Sequence, residues 1–278
     1  MPRLRSTNGV ALAVYDLGGS GPPLLMAHAT GFCGPVLGPL AAHLTGRFHC
    51  WTYDARGHGD TETPTGLDWN WSSFADDVLA VVEGLGLDQP YGFGHSSGGA
   101  ALLEAEARRP GTFAALWCHE PIVWPEITEE LRESRKPLVS GALKRRDLFA
   151  SREEAYENFS SKPPLEALDA KALLAYVECG FKPDREGVRL KCPPFVEAGI
   201  YRQGLRHDGF ARLPQVRCPV TVAHGGRSTA MGRHVVEAQV DALPRAALVT
   251  FPDLGHFGPL EDLGGVAARI LETVAPPR

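Results

Sequence analysis

The 278-residue sequence lacks any apolar run long enough to cross a bilayer as a helix. Its longest apolar stretches, residues 22–27 and 78–82, are far shorter than the roughly 20 residues that such a helix needs. Residues 1–20 begin with Arg3 and Arg5 but contain no continuous apolar core, so they are not typical of a secretory signal. We therefore expect no membrane span and no membrane partner, and the cytoplasm is the expected location.

The sequence also lacks an excess of basic residues and any closely spaced cysteine pair. Lys and Arg number 28 against 33 Asp and Glu, which gives a formal net charge of −5. Nucleic acids and anionic membranes both bind concentrated basic surfaces, so we expect no nucleic acid partner. The six cysteines show no C-x-x-C spacing, which argues against a zinc site and a disulfide framework, and we interpret them as small buried apolar residues. Neither a metal nor an organic cofactor is predicted.

Short apolar runs alternate with helical patterns along much of the chain. The runs are typical of strands buried on both faces of a parallel sheet, and they are residues 24–27, 50–53, 91–93, 114–118, 219–223 and 247–251. Residues 74–85 repeat apolar positions at helical spacing, with Ser72 and Ser73 as candidate N-caps. Residues 10–16 lead into a glycine-rich turn, which predicts an early hairpin. The alternation indicates an open α/β sheet, whose ligand site lies at the carboxyl ends of the strands.

The alternation stops after Pro121 and resumes at Cys218. We interpret residues 121–216, whose patterns are mostly helical, as a helical cap inserted into a core formed by residues 1–120 and 217–278. The cap is rich in aromatic residues, and either some of them face a cavity or all of them only join cap and core. They are Trp124, Phe149, Tyr156, Phe159, Tyr176, Phe181, Phe195, Tyr201 and Phe210.

Residues 94–98 read GHSSG and match the pattern G-x-S-x-G. They lie between an apolar run and a helix-forming segment, which is the context in which this pattern forms a sharp strand-to-helix turn. The glycines leave room for the turn, so Ser96 would project its hydroxyl above the sheet as a nucleophile. The alternative is an ordinary strand-to-helix loop.

A serine hydroxyl is a weak nucleophile without a base, and His256 has the best position among the ten histidines. It follows the last apolar run and precedes a C-terminal helical segment, so the nucleophile comes first in the chain and the histidine last. His28 ends a strand, and His58 and His95 lie in turns, where packing or a structural hydrogen bond is expected. The sequence therefore predicts His256 as the general base.

Together these motifs resemble the α/β-hydrolase fold family over the whole chain, with a helical cap between the sixth and seventh strands of a mostly parallel sheet. Residues 28–32 (HATGF) are similar to the family's oxyanion loop, and residues 54–59 (DARGHG) are similar to its D-x-R-G-H-G turn. The resemblance implies an oxyanion hole formed by the backbone N–H groups of Thr30 and Ser97. Ala29 replaces Thr30 if the register of the loop differs by one.

The chain departs from the common family pattern at the third member of the catalytic triad. The family usually has an Asp shortly after the seventh strand, but residues 224–228 read HGGRS and end in Ser228, which has no carboxylate. The resemblance implies that Glu120, at the end of the sixth strand, supplies the acid, as in some α/β-hydrolases. The alternative is that Glu120 only caps the first cap helix. Asp253 is too close in sequence to His256 to orient it easily.

The expected activity is hydrolysis of a small, largely uncharged carboxylic ester or lactone through an acyl-enzyme on Ser96. Phe32 and Trp124 are candidate substrate-binding residues. The Ser-Ser-Gly of the elbow and the Cys-His-Glu that ends at Glu120 also resemble the zearalenone-type lactone hydrolases. The alternatives are carbon–carbon bond hydrolysis, haloperoxidase-like chemistry, and a triad-bearing receptor with negligible turnover. The assembly is left open, with a homodimer as one candidate.

Overall fold

The structure, a computed structural model, describes residues 3–67 and 69–274 and contains a large sheet and a small one. The strands are numbered along the chain: β1 Arg3–Arg5, β2 Ala11–Gly18, β3 Pro23–Ala27, β4 His49–Tyr53, β5 Tyr91–His95, β6 Ala115–His119, β7 Leu148–Phe149, β8 Phe181–Asp184, β9 Gly187–Leu190, β10 Val220–Gly225 and β11 Ala246–Phe251. The large sheet has the order β1-β2-β4-β3-β5-β6-β10-β11. Its six strands from β4 to β11 in this order pair in parallel, whereas β1 with β2 and β2 with β4 pair antiparallel. The predicted α/β sheet is therefore confirmed, and each of the six apolar runs contributes a strand to it.

Both faces of the large sheet are covered. In β3, Leu24 and Met26 belong to one buried apolar cluster, and Leu25 and Ala27 belong to a second cluster. This division follows from strand geometry, because successive side chains of a strand point to opposite faces of the sheet. It also explains why the inner strands read as continuous apolar runs: a strand covered on both sides has no solvent face to fill with polar residues.

The predicted early hairpin is wrong. β2 pairs with β1 and β4, and β4 separates it from β3. The glycines between β2 and β3 instead allow a close approach to the chain that enters β4. A Cβ at Gly19 would lie 1.9 Å from the carbonyl oxygen of Phe48, and one at Gly21 would lie 2.0 Å from that of Arg47.

The α-helices are α1 Gly38–Ala41, α2 Trp71–Gly84, α3 Ser97–Arg108, α4 Glu129–Leu143, α5 Arg152–Ser160, α6 Ala170–Cys179, α7 Pro194–Gln203, α8 Gly209–Arg212, α9 Arg233–Ala242, α10 Gly258–Glu261 and α11 Leu263–Thr273. Short 3-10 helices cover Thr7–Gly9, Gly34–Leu37, Leu165–Ala167 and Leu213–Gln215. The amphipathic helix predicted over residues 74–85 is α2, which begins three residues earlier. Its N-cap is Asn70, whose side chain accepts a hydrogen bond from the backbone N–H of Ser72, and not Ser72 or Ser73.

Residues 121–216 lie between β6 and β10 and contain helices α4 to α8. They also contain the small antiparallel sheet, of order β7-β9-β8, in a segment whose patterns predicted only helices. Four of the aromatic residues in this segment are buried and pack on one another with ring centroids 5.5–6.2 Å apart. These four, Phe149, Phe159, Tyr176 and Phe181, form a buried aromatic cluster within the predicted cap.

All six cysteines have free thiols, and five of them are buried while Cys179 is partly exposed. Within residues 3–67 and 69–274, no cluster of His, Cys, Asp and Glu has an arrangement that could hold a metal ion. No helix in these same ranges is long and apolar enough to span a membrane.

Candidate active site

Ser96 lies at the sharp turn between β5 and α3. Its backbone has φ +55° and ψ −114°, a conformation that residues with a side chain rarely adopt. The neighbouring backbones are so close that a Cβ at Gly94 would lie 2.5 Å from the Cα of Gly99. A Cβ at Gly98 would lie 2.3 Å from the carbonyl oxygen of Ala27. The turn therefore has the strained geometry of a nucleophile elbow.

The side chains of Ser96, His256 and Glu120 form one hydrogen-bonded line. His256 Nε2 lies 3.1 Å from Ser96 Oγ, and His256 Nδ1 lies 2.7 Å from Glu120 Oε2. The carboxylate of Glu120 is completely buried, whereas the His256 side chain is 17% exposed. In this arrangement the imidazole can accept the proton of the hydroxyl while the carboxylate stabilises the positive charge that results. The structure thus brings together the three residues that the sequence identifies as candidates for a triad.

Glu120 is held by groups at the end of β10. Its Oε1 accepts a hydrogen bond from the backbone N–H of Gly225 at 2.9 Å, and its Oε2 accepts one from the hydroxyl of Ser228 at 2.7 Å. Burial acts to raise the pKa of Glu120, but the hydrogen bond and charge of His256, with smaller contributions from His119 and Ser228, hold that pKa below its usual value. The carboxylate is therefore ionised at neutral pH. Sequence reasoning did not identify Ser228 as a hydrogen-bond donor to this acid.

Asp253 does not contact His256. Its carboxylate is 81% exposed and pairs with the guanidinium of Arg227 at 2.9 Å. An exposed ion pair of this kind leaves Asp253 facing solvent, so Glu120 is the carboxylate that reaches the imidazole.

Two buried histidines hold the loop that carries His256. His95 Nε2 lies 2.8 Å from the carbonyl oxygen of His256, and His119 Nε2 lies 3.3 Å from that of Gly255. Burial lowers the pKa of His95 well below its usual value and, despite the nearby charge of Glu120, lowers that of His119 to about 4. Both rings are therefore neutral, and each donates its Nε2–H to the loop. His119 was missed by sequence reasoning, although it directly precedes Glu120.

The predicted oxyanion groups lie at the cavity that contains Ser96. Thr30, Ala29 and Ser97 all line it. Ser97 is the first residue of α3, so its backbone N–H has no acceptor within the helix. The backbone N–H groups of Ala29 and Thr30 have no acceptor among the residues that the structure describes. In either register, the loop therefore has a backbone donor at the cavity that Ser96 also lines.

Gly31, the next residue of this loop, is bound from two sides. Its backbone N–H donates to Nε2 of His58 at 3.0 Å, and its carbonyl oxygen accepts from the Tyr176 hydroxyl of the cap at 3.3 Å. Burial and the neighbouring His28 lower the pKa of His58 to about 3, so its ring is neutral and Nε2 can accept. Arg145 donates in turn to the Tyr176 hydroxyl at 2.5 Å. The cap thereby fixes the backbone next to Thr30.

A cavity of about 550 Å³ lies above Ser96 and His256. Its wall is mostly apolar, with contributions from Trp71, Ile122, Trp124, Leu138, Ala167, Tyr201, Leu205 and Phe257. Charged side chains reach it at Arg135, Glu166, Arg227, Asp253 and Glu261. This volume suits a small organic molecule.

The two predicted substrate contacts differ in position. Trp124 lines the cavity. Phe32 is not among the lining residues, and the prediction that it contacts substrate is not supported by its position. Its buried ring packs against Tyr176 and Phe257, with centroids 5.0 and 5.6 Å away, because the loop that follows Gly31 turns into the protein interior.

The sequence model of the alpha/beta hydrolase family matches residues 24–269 of this chain. Among curated proteins, the chain is 27% identical over 240 residues to 2-(acetamidomethylene)succinate hydrolase of Mesorhizobium japonicum, which covers 86% of this chain and 83% of that protein. It is 23% identical over 266 residues to N-formylmaleamate deformylase of Pseudomonas putida, covering 95% of this chain and 92% of that protein. Among solved structures, E-2-(acetamidomethylene)succinate hydrolase superposes with a TM-score of 0.86 at 22% identity, covering 97% of both chains.

Proposed function

This chain belongs to the alpha/beta hydrolase family, and from that membership we propose that it is a serine hydrolase that forms an acyl-enzyme on Ser96. The hydrogen-bonded line from Ser96 through His256 to the buried Glu120 carries the proposal. A structural serine needs no base, and a structural histidine needs no buried carboxylate directed at its far nitrogen. The three groups together support nucleophilic catalysis.

In the first half-reaction, Ser96 Oγ attacks the acyl carbonyl carbon of the substrate while His256 Nε2 takes the hydroxyl proton. The new negative charge lies on the carbonyl oxygen, where the backbone N–H of Ser97 and that of Thr30 or Ala29 donate hydrogen bonds. Backbone donors need no rearrangement as the charge appears. The imidazolium then gives its proton to the leaving group, which departs and leaves the acyl group on Ser96.

In the second half-reaction, water repeats the attack. His256 takes a proton from the water as its oxygen adds to the acyl carbon, and then returns the proton to Ser96 Oγ as the ester bond breaks. The acid product leaves and the enzyme is restored. Glu120 remains ionised throughout and stabilises the imidazolium in both halves.

The names of the relatives change the type of bond that we expect the enzyme to cleave. Two relatives that align over most of their length are, by their names, a hydrolase of acetamidomethylene succinate and a deformylase of N-formylmaleamate. These names favour a bond other than that of an ester or lactone, and carbon–carbon bond hydrolysis is such an alternative among those expected from the sequence. We therefore propose an acyl carbon–nitrogen or carbon–carbon bond, whose leaving nitrogen or carbon is protonated by His256.

Labelling with a fluorophosphonate tests the nucleophile. The wild-type protein should take up one label on Ser96, and the Ser96→Ala variant should take up none. Ser134→Ala is the matched control, since Ser134 lines the same cavity but its hydroxyl donates to the carbonyl of Leu131. Equal labelling of Ser96→Ala and the wild type would contradict the proposal.

A substrate panel tests the bond type. It contains 2-(acetamidomethylene)succinate, N-formylmaleamate, a dienoic diketone, 4-nitrophenyl acetate and a γ-lactone, and kcat/KM is measured for each. We expect the highest kcat/KM among the first three compounds. A higher kcat/KM for the ester or the lactone would instead support the ester or lactone hydrolase that the sequence predicts. A single turnover with retained product would instead identify a receptor.

A further inference from the structure

Two arginines, Arg135 and Arg227, line the cavity, and the position of Arg135 relates it to the proposed catalytic residues. Arg135 belongs to α4 and lines the cavity together with Ser96. Its Nη2 donates to the carbonyl oxygen of Ala230. The backbone N–H of Ala230 donates to the hydroxyl of Ser228 at 3.2 Å, and that hydroxyl donates to Glu120 at 2.7 Å. The guanidinium therefore lies on the side of the cavity where the acid of the triad is held.

Arg135 has no anionic partner in the part of the chain that the structure describes: no carboxylate oxygen lies within 4.0 Å of its guanidinium. Its Nε–H is buried and has no hydrogen-bond acceptor among the residues that the structure describes. The guanidinium lies over the ring of Trp124, 4.7 Å from the centroid. The indole N–H of Trp124 is also buried and finds no acceptor in the described part of the chain. Within residues 3–67 and 69–274, these two neighbouring donors are thus unsatisfied.

Two other arginines that are shielded from water, Arg56 and Arg145, differ from Arg135 because each is paired with a carboxylate. Arg56 is completely buried and binds Asp77 through two of its nitrogens, at 2.8 and 2.6 Å. Arg145 is largely buried and pairs with Glu197 at 2.9 Å. Both guanidinium groups are thus shielded from water and paired with a carboxylate, which offsets the free-energy cost of their desolvation. Burial lowers the pKa of Arg135, with only a partial compensation from the charge of Glu120.

From this contrast we propose that Arg135, with the indole N–H of Trp124 beside it, binds a carboxylate group of the substrate. The substrate is then a small carboxylic acid and not the largely uncharged molecule that sequence alone suggests. A guanidinium suits this role because its planar N–H groups match the two oxygens of a carboxylate. The inference rests on the proposed function, since the carboxylate belongs to the molecule whose acyl group meets Ser96.

Two activated esters that differ by one carboxylate test the inference. Mono-4-nitrophenyl succinate carries the group and 4-nitrophenyl acetate does not. In the Arg135→Gln variant we expect kcat/KM for the succinate ester to fall by about 10- to 100-fold, mainly through KM, because a charge-assisted contact is lost. The acetate ester should be hydrolysed at nearly the wild-type rate. The Arg135→Lys variant should recover part of the loss, since it keeps the charge but not the planar geometry.

Arg132→Gln is the matched control. Arg132 lies one turn earlier on α4, and its guanidinium also donates to a backbone carbonyl, that of Leu205 at 3.1 Å, but it does not line the cavity. This variant should hydrolyse both esters like the wild type. If Arg135→Gln lowers kcat/KM for both esters equally, or for neither, the carboxylate site is disproved while the acyl-enzyme proposal stands.

Binding measured without turnover separates this inference from the proposed function. By calorimetry, succinate should bind the Ser96→Ala protein at least about tenfold more tightly than it binds the Ser96→Ala/Arg135→Gln protein. Equal affinities would overturn the inference. Unequal affinities in a protein that neither takes up the fluorophosphonate nor hydrolyses any ester would retain the carboxylate site and disprove the hydrolase.

Discussion

At the scale of single residues, Glu120 and Ser228 meet because their strands are neighbours. β6 pairs in parallel with β10, so the carboxyl ends of both strands lie at the same edge of the sheet. Ser228 stands where the family commonly has its acid, and its hydroxyl now donates to Glu120 at 2.7 Å. The carboxylate of Glu120 therefore contacts both the Ser228 hydroxyl and the imidazole of His256.

Replacing Glu120 by Gln tests the proposed acid. An amide cannot stabilise an imidazolium and also allows the wrong imidazole tautomer, so kcat should fall by about 10³- to 10⁴-fold. Steady-state kinetics on the best substrate of the panel give the value. Asp253→Asn is the control and should leave kcat close to the wild-type value, because Asp253 pairs with Arg227 in solvent. Loss of activity in Asp253→Asn alone would show that the acid is wrongly assigned.

The closeness of Glu120 and Ser228 also predicts a rescue. In the double variant Glu120→Gln/Ser228→Asp, a carboxylate at position 228 can reach His256 from the end of β10. We expect kcat to recover by at least about tenfold over the Glu120→Gln variant, since an ionised partner is restored to the imidazole. The control is the double variant Glu120→Gln/Ser228→Asn, whose Asn side chain has the shape of Asp without its charge. Its kcat should stay at the value of the Glu120→Gln variant. Equal rates in the two double variants would argue against this geometry.

At the scale of secondary-structure elements, α6 of the predicted cap contacts residues 28–32, the loop that we propose to bind the oxyanion. The hydroxyl of Tyr176 donates to the carbonyl oxygen of Gly31 and accepts from Arg145, which is itself paired with Glu197 of α7. The carbonyl, the hydroxyl, the guanidinium and the carboxylate are all largely shielded from water, and each has a hydrogen-bond partner within this chain of contacts. We infer that the cap keeps the backbone N–H of Thr30 in place as well as covering the cavity.

Tyr176→Phe should therefore lower kcat more than it changes KM. It leaves the Gly31 carbonyl unpaired, and the net worth of about 1 kcal/mol for such a hydrogen bond corresponds to a decrease of about fivefold. The rate of fluorophosphonate labelling should fall in parallel. Tyr156→Phe removes a hydroxyl from a partly exposed tyrosine of α5 and serves as the control. A Tyr176→Phe enzyme with unchanged kcat would show that the contact does not position the loop.

The elements themselves were predictable where their patterns are long. Six buried strands and α2 follow from apolar runs and helical spacing, which depend on residues close together in the chain. The strands of the small sheet were not predictable, because two to four residues such as Leu148–Phe149 carry no periodic signal. The early hairpin was wrong for a different reason: turn residues show that the chain bends, but not that β4 would enter between β2 and β3.

At the scale of the whole molecule, the cap and the core share their interior. One buried cluster contains Leu12 of β2 together with Ile200 of α7, and the other contains Met26 of β3 together with Tyr176 of α6. Each cluster therefore joins residues from both sides of the boundary predicted at position 121. We therefore expect residues 121–216, which the sequence predicts to be an insertion, to unfold together with the core.

Thermal unfolding tests this expectation. Far-ultraviolet circular dichroism and tryptophan fluorescence should give coincident single transitions. Ile200→Ala, a truncation of a completely buried side chain in α7, should lower the free energy of unfolding by about 2–5 kcal/mol without splitting the transition. Leu174→Ala, at a side chain that is 48% exposed on α6, is the control and should have a much smaller effect. A separate early transition in Ile200→Ala would mean that the cap folds as an independent unit.

The sequence by itself determined the fold class, and it predicted the sharp turn at Ser96 and the choice of His256 as its proposed base, because these depend on local patterns and on their order along the chain. Only the tertiary structure decided which distant groups meet. Glu120 contacts His256 across 136 positions, and Arg135 contacts Ala230 across 95. The same holds for the placement of Phe32 in the interior and of Trp124 at the cavity. Such contacts are set by how strands align and helices pack, which no local pattern encodes.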